Sequence, residues 1–203
     1  IKGKTVLDIA CGPGLLISYL KPDINYVGIE RDNKYITYLK KKYSQFKFFT
    51  LDIEADSIKL NKKFDTITMI AIIEHLTNPK TCLKNIVNLL EKEGFLVITT
   101  PTKIGNLIHN LGSKLNLVSK KAASEHNIIF NRRELTNTIE GLGLKISKHK
   151  IFFFGLNQIF VCQKWQRTAS VSAFAPSSNS TQILTDKLTS MSKQKMRCHY
   201  CAT

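Results

Sequence analysis

The feature that most constrains this chain is a glycine loop directly after its first apolar segment. An apolar run at 5–10 overlaps the segment Asp8–Gly14 (DIACGPG), and a short helix is predicted at 15–20. A strand, a tight loop and a helix in succession form the first unit of an α/β sheet, in which ligands bind at the carboxyl ends of the strands. Gly12 and Gly14 permit the tight backbone and the close approach of a ligand that such a loop needs. The sequence therefore predicts an α/β fold with a ligand site at this loop.

Strands and helices alternate along the chain as far as residue 142. Apolar patterning predicts further strands at 25–30, 46–50, 64–70 and 95–100, and helices at 33–43, 79–94, 104–117 and 131–141. Two last strands are predicted at 144–153 and 158–163, antiparallel to each other because the link between them is short. This alternation predicts a doubly wound parallel sheet with helices on both faces.

Helix boundaries are marked by capping residues. Asn78 and Gly94 are predicted to begin and end the helix that precedes the fifth strand. Asp32 or Asn33 is predicted to cap the helix after the second strand. Asn131 and Glu134 have the spacing of a capping box.

The composition changes near the carboxyl terminus. Residues 165–203 are rich in Ser and Thr and contain one acidic residue, Asp186, so this segment is predicted to be a disordered tail after a domain at 1–164. No apolar run is long enough to span a membrane and no signal peptide is visible, so a cytoplasmic protein without a membrane span is expected. The oligomeric state is left open.

The net charge of +15 raises the alternative of an RNA partner. However, Lys outnumbers Arg 25 to 5, and the Lys residues are spread along the chain. Proteins that grip phosphates tend to use Arg, whose planar guanidinium binds them bidentately. The net charge is therefore better explained by a Lys-rich composition than by a nucleic-acid binding site.

The loop itself indicates the kind of ligand. A dinucleotide loop needs a third glycine where this chain has Ile17, so a nicotinamide dehydrogenase is disfavoured. Asp8 would repel a pyrophosphate but suits a cationic ligand. Glu30 ends the second strand, where a carboxylate can accept both hydroxyls of a ribose. Asp52 follows the third strand and can accept from an adenine amino group, with Ile53 as an apolar face.

Three segments carry a family resemblance over residues 1–163. Residues 6–14 (VLDIACGPG) resemble motif I of class I S-adenosylmethionine-dependent methyltransferases, and residues 26–30 (YVGIE) resemble their second strand. Residues 64–76 (FDTITMIAIIEHL) are similar to strand 4 of the branch that includes the ubiquinone-biosynthesis O-methyltransferases. The resemblance implies a Rossmann-like seven-stranded sheet in the order 3-2-1-4-5-7-6, with the last strand antiparallel. It also implies that a helix normally present before strand 1 is missing here.

The resemblance further implies S-adenosylmethionine as the cofactor and assigns residues to its parts. Those expected at the methionine end are Asp8, Ala10, Gly12 and Gly14. Glu30 would hold the ribose, Asp52 and Ile53 the adenine, and Ile70 would lie against the donor. Metal-assisted members read Glu-x-x-Glu-His after strand 4, and this chain has Ala71 at the first Glu, so no metal is expected. The pair Cys198 and Cys201 is a single half-site in the tail and is not expected to bind zinc.

The methyl acceptor is expected to be a small molecule, a lipid intermediate or a glycan, methylated by in-line displacement. His75 is the best candidate for the catalytic base, since imidazole titrates near neutral pH. Glu74 would orient His75 or bind substrate, and His126 is a second candidate base. Residues 102–130 would form an apolar lid or pocket, or pack as ordinary helix.

Two alternatives stay open, an RNA methyltransferase and an inactive fragment that acts only as a binding module. Two further expectations concern structure alone. Asp65 starts strand 4 at the opposite end of the sheet and is predicted to be structural. The phenylalanine run 152–154 is predicted to pack in the core or at a sheet edge.

Overall fold

The computed structural model describes residues 1–55, 58–114 and 130–165, with only the backbone described for 109–114. These residues contain a seven-stranded sheet. Its strands are β1 (Thr5–Ile9), β2 (Asn25–Glu30), β3 (Lys47–Thr50), β4 (Phe64–Ile70), β5 (Leu90–Pro101), β6 (Leu144–Phe152) and β7 (Asn157–Lys164). The order is β3-β2-β1-β4-β5-β7-β6, and β7 runs antiparallel to both of its neighbours while the other pairs are parallel. The predicted fold and strand order are confirmed.

Four α-helices and two short 3₁₀ turns connect the described strands. The helices are α1 (Asn33–Lys42), α2 (Pro79–Val87), α3 (Lys103–Lys114) and α4 (Arg132–Gly141), and the turns are Leu15–Tyr19 and Ile73–His75. Asp32 caps α1 by accepting a hydrogen bond from the Lys34 amide at 2.8 Å. Asn131 and Glu134 form the predicted capping box at the start of α4. These two predicted caps are confirmed.

The sheet buries a hydrophobic layer on each face because neighbouring side chains of a strand point to opposite sides. Val6 packs with Tyr26 and Phe48 in the smaller layer, which α1 covers. Leu7 belongs to the larger layer, which α2 and α4 cover. The domain is therefore doubly wound, with the carboxyl ends of β1 to β4 meeting at one edge.

The predicted end of α2 at Gly94 is wrong. The helix ends at Val87, and β5 already begins at Leu90, which pairs with Phe64 of β4. The next pair is Thr66 with Phe95, so residues 91–94 leave the ladder as a bulge. A Cβ atom on Gly94 would lie 3.1 Å from the Phe64 carbonyl oxygen. Gly94 thus allows β4 and β5 to pack closely. Leu90, which the helical pattern assigned to α2, pairs in the sheet instead.

Other expectations fall partly outside the described residues. The helix predicted at 104–117 begins one residue earlier, as α3, and its end is not described. The predicted tail lies outside the description except for Trp165. In the described part of the chain, each helix is too short or too polar to cross a bilayer.

Candidate cofactor and acceptor site

A cavity of about 260 Å³ opens at the carboxyl ends of β1 to β4. Its lining includes Ala10, Glu30, Asp52, Ile53, Ala71 and His75. These six residues end or follow the four strands β1 to β4, because parallel strands deliver their carboxyl ends to one edge. Five of these six residues are predicted site residues, and the sheet brings them together across a long stretch of sequence.

The Glu30 side chain is held in place by three backbone amides. Its Oε1 accepts hydrogen bonds from Arg31 at 2.9 Å and Asp32 at 3.0 Å, and its Oε2 accepts one from Gly12 at 3.0 Å. A carboxylate has about four acceptor positions. Glu30 is therefore oriented toward the cavity wall with acceptor capacity left for a ligand.

The loop after β3 is tied to the start of α2. Asp52 Oδ1 accepts the Glu54 amide at 2.9 Å, and Glu54 Oε1 accepts the amides of Thr77 at 2.8 Å and Asn78 at 2.9 Å. Asn78 stands at the predicted N-cap position, but its side chain makes no capping hydrogen bond. The sequence analysis did not identify Glu54. The available signal was its negative charge, which the positively polarised N-terminus of a helix attracts.

The glycine loop after β1 has two left-handed glycines with different environments. A Cβ on Gly14, where φ is 76°, would lie 2.5 Å from Leu39 of α1, so this glycine lets the loop pack on the helix. A Cβ on Gly12, where φ is 52°, would have no neighbour within 4 Å. Gly12 thus leaves open space above the loop, as the predicted approach of a ligand requires.

Asp8 lies beneath this loop and outside the cavity lining, with 3% of its surface exposed. Its Oδ2 accepts the Tyr26 hydroxyl at 2.8 Å, and its Oδ1 accepts the Thr68 hydroxyl at 2.6 Å. Burial raises the pKa of Asp8 to about 6, although the bonds from Thr68 and Tyr26 lower it. Its predicted place at the methionine end of a ligand stays a prediction.

Two alanines mark the ends of β1 and β4 in the cavity wall. Ala10 has a φ of 57° and Ala71 a φ of 52°, a backbone region that side chains with a Cβ rarely adopt. Sequence reasoning used Ala71 only as a break in a metal motif and did not place it in the site. Across the described ranges, no group of three His, Cys, Asp or Glu side chains is arranged to hold a metal ion.

The residues after β4 separate into two environments. His75 is half-buried and lines the cavity. Glu74 is 1% exposed, lies in the interior rather than in the lining, and has a pKa raised by burial. The predicted role of Glu74, to orient His75 or bind substrate, stays a prediction. Ile70 is exposed at the end of β4 and does not line the cavity. His126 and the pair Cys198 and Cys201 lie outside the described residues.

An exposed apolar surface lies beyond β5 on the same edge of the sheet. We call it the apolar rim; its members are Ile104, Leu107 and Ile108 of α3, Phe152 at the end of β6, and Phe153 and Phe154 of the β6–β7 turn. Phe152 lies in the edge strand β6 as expected, but the expected packing is wrong for Phe154, which is 97% exposed. Thr102 joins the two parts, donating its hydroxyl to the Gly155 carbonyl at 2.7 Å and its amide to that of Leu156 at 2.8 Å.

Comparison with known proteins agrees with this geometry. Residues 1–149 match the family described as "Methyltransferase domain". "Putative methyltransferase 235L" of Invertebrate iridescent virus 6 is 30% identical over 117 residues, which are 55% of this chain and 43% of the viral protein. A "Ubiquinone biosynthesis O-methyltransferase" of Coxiella burnetii is 30% identical over 105 residues, 49% of this chain and 44% of the relative. The chain spans less than half the length of these curated relatives.

A solved structure shows the same fold at low sequence identity. The magnesium protoporphyrin IX methyltransferase ChlM from Synechocystis PCC 6803, with bound SAH, superposes with a TM-score of 0.62 at 18% identity, covering 80% of this chain and 75% of that one. With the family match over residues 1–149 and the strand order described above, the chain belongs to the methyltransferase-domain family and has the fold of its class I S-adenosylmethionine-dependent members.

Proposed function

We propose that this chain binds S-adenosylmethionine in the cavity at the ends of β1 to β4 and transfers its methyl group to an acceptor. The observation that carries the proposal is the convergence of Glu30, Asp52, Ile53 and His75 on one cavity. These residues supply the acceptors and the apolar face that a nucleoside needs, and a titratable group beside them. We also propose that the domain extends over residues 1–164, because β7 ends at Lys164.

The donor is held by groups that are already oriented. Glu30 accepts a ribose hydroxyl at its remaining acceptor position, and its three backbone hydrogen bonds keep the carboxylate from turning away. Asp52 accepts from the adenine amino group, and Ile53 packs on the ring. Gly12 and Gly14 give the loop the left-handed backbone that brings it near the methionine part. Such preorganisation lowers the entropy lost on binding.

The bound donor supplies a methyl group on a positively charged sulfur, ready for in-line displacement. The chain then has to align the acceptor and exclude water, which supplies several kcal/mol by positioning. His75 lies on the cavity wall and takes the proton of an acceptor hydroxyl, a contribution of roughly 10²–10⁴-fold. Glu74 is a positioning residue in this proposal, because its buried side chain belongs to the same 3₁₀ turn as His75.

The apolar rim supports an apolar acceptor, such as a lipid intermediate bearing a hydroxyl group. Exposed apolar side chains grouped in one patch mark binding surfaces. The rim lies on the same edge of the sheet as the cavity, since β5 and β6 both end there. A glycan would need polar groups on this surface, and RNA would need phosphate-binding groups in place of Ile104, Leu107 and Ile108.

Donor binding is tested first, by the thermal stability of the full chain with S-adenosylmethionine and with NAD. At 100 times its Kd a ligand stabilises a fold by about 2.7 kcal/mol. We expect a shift with S-adenosylmethionine that Glu30→Ala abolishes and that the exposed control Glu140→Ala retains. The absence of a shift in the full chain would contradict the proposal and leave a binding module of another kind.

Acceptor class is tested by transfer of labelled methyl groups. We expect transfer to a long-chain alkyl phenol in detergent micelles, and no transfer to phenol itself or to an RNA oligonucleotide. His75→Asn should lower kcat by at least about 10²-fold while the donor Kd stays unchanged. Transfer to RNA that weakens steeply between about 50 and 200 mM salt would favour the RNA alternative.

A further inference from the structure

We propose that Tyr26 and Thr68 are positioning residues that hold Asp8 ready to become charged when the cationic methyl donor binds, and so set how donor affinity varies with pH. This inference rests on the proposed function, because it concerns the same donor. It adds two residues that lie outside the cavity lining and act on the donor only through Asp8.

The first step is the geometry of the cluster. Asp8, Tyr26 and Thr68 are all buried, and each oxygen of the Asp8 carboxylate faces one hydroxyl donor, at 2.8 Å and 2.6 Å. The Tyr26 ring is held between Phe46 and Phe48, with centroids 5.5 Å and 5.9 Å away. The hydroxyl is therefore fixed in place, and it points at the carboxylate from the neighbouring strand.

The second step is the charge around the cluster. Among the described residues, no Lys, Arg or His side chain forms an ion pair with Asp8 within 4.0 Å, so no basic side chain neutralises it. The titratable groups that face Asp8 are Tyr26 and Glu30 from β2 and Cys11 from the loop, and Thr68 of β4 adds its hydroxyl. Both Tyr26 and Cys11 stay neutral, since burial raises the pKa of each, that of Cys11 to about 12.

The third step is the balance of these effects on Asp8. Burial opposes the charged form most strongly and Glu30 opposes it further, whereas the Thr68 and Tyr26 hydroxyls favour it. The resulting pKa of about 6 leaves the free protein close to the point where Asp8 takes up a proton. The neutral hydroxyl groups of Tyr26 and Thr68 supply part of the stabilisation of the charged Asp8 carboxylate. The bound cationic donor supplies the rest.

The consequence is a linkage between donor binding and a proton. Below the pKa of Asp8, donor binding must release a proton, so the affinity falls by up to tenfold per pH unit. S-adenosylhomocysteine keeps the ammonium group of the donor but lacks its sulfonium charge. A weaker pH dependence for S-adenosylhomocysteine would show that Asp8 responds to the sulfonium, and an equal pH dependence would show that it responds to the ammonium.

The experiment is calorimetric titration of S-adenosylmethionine and S-adenosylhomocysteine between pH 5 and pH 8.5. Variants are Tyr26→Phe and Thr68→Val, which remove one hydroxyl each, with Thr68→Ser as the conservative rescue and the exposed Tyr19→Phe as control. Removing a hydrogen bond to a charged group should raise the pH midpoint by about one unit. Donor affinity at pH 6.5 then falls about threefold in Tyr26→Phe and Thr68→Val, and it equals that of the unmodified chain at pH 8.5.

A second readout separates the possible failures. Titration of the Asp8 carboxyl carbon by NMR in the ligand-free protein should show the same rise in midpoint in both variants, and none in Thr68→Ser or Tyr19→Phe. A midpoint that neither variant moves overturns the inference, as does donor affinity that is independent of pH. If S-adenosylmethionine binds at no pH, the proposed function fails and the inference fails with it.

Discussion

The carboxylate of Glu30 accepts the backbone amide of Gly12 at 3.0 Å, so one side chain joins the end of β2 to the loop after β1. Its other oxygen accepts the amides of Arg31 and Asp32. The residue proposed to hold the ribose thus also orders the loop beside it. In the proposed function, cofactor binding and loop order are therefore coupled through Glu30.

Replacing Glu30 should therefore affect both properties. Glu30→Ala leaves three amides without their partner, and we expect a loss of about 1–3 kcal/mol in the free energy of unfolding. The stabilisation by S-adenosylmethionine should disappear as well. Urea denaturation with and without the donor measures both effects, and Glu140→Ala provides the control. Undiminished donor binding in Glu30→Ala would contradict the assignment.

Asp8→Asn should stabilise the ligand-free protein at neutral pH. Because burial raises the pKa of Asp8 above its ordinary value of 3.8, to about 6, the folded state binds the extra proton. Its charged form therefore costs stability above pH 6, and the free energy of unfolding falls as the pH rises from 3.8 to 6. Asp8→Asn should remove this slope and raise stability at pH 7.5 by up to about 3 kcal/mol. Denaturation curves at pH 5 and pH 7.5 measure the slope; an unchanged slope would count against a buried, titrating Asp8.

Asp65 should show the opposite pH dependence. Partial burial raises its pKa, but hydrogen bonds from Thr5 and Lys4 outweigh this and lower the pKa below 3.8. The stabilisation of the fold by charged Asp65 is thus present above pH 3.8 and is lost as the pH falls through the lowered pKa. We expect Asp65→Asn to cost about 1–2 kcal/mol at pH 7, with donor binding unchanged. Asp23→Asn, in an exposed ion pair, should change stability little.

Substitution by alanine should change the stability of the fold in opposite directions at two helical glycines. A Cβ on Gly105 of α3 would lie 1.9 Å from the Leu156 carbonyl oxygen, whereas one on Gly141 of α4 would have no neighbour within 4 Å. Gly141→Ala should stabilise the fold by about 0.5–1 kcal/mol. Gly105→Ala should destabilise it and lower transfer to apolar acceptors more than donor affinity. Thermal melts and donor titrations check both; equal effects of the two substitutions would contradict the described packing of α3.

Ala71 should tolerate glycine but not valine. Its φ of 52° suits glycine, and a β-branched side chain there is strained and would also project into the cavity wall. We expect Ala71→Val to weaken donor binding at least tenfold and Ala71→Gly to bind within about twofold of the unmodified chain. Calorimetric titration measures both, and tight binding by Ala71→Val would remove Ala71 from the site.

Local sequence patterns predicted the helices, the strands and their order correctly wherever the local preference of a segment agrees with tertiary packing. The capping residues Asp32, Asn131 and Glu134 behave as predicted because a cap is complete within a few residues. The end of α2 was wrong because Leu90 belongs to the sheet through its pairing with Phe64, a contact distant in sequence.

The cavity residues were predicted in part for the same reason. Glu30, Asp52 and Ile53 follow strands, and strand ends are visible in a sequence. The interior position of Glu74 and the bond from Tyr26 to Asp8 depend on packing between strands that no local pattern encodes. The exposure of Phe154 likewise follows from a turn that carries it past the sheet edge.

The hydrogen bonds at Thr102 and the capping box at Asn131 stand at the two ends of residues 103–130. Each motif is complete within its own neighbourhood: Thr102 binds Gly155 and Leu156, and Asn131 binds Glu134. Away from Gly105 and the buried Phe130, substitutions between these two anchors are expected to leave β1 to β4, which form the cavity, in register. In the proposed function, the stretch between the two anchors could then change with the acceptor while the strands that hold the donor stay the same.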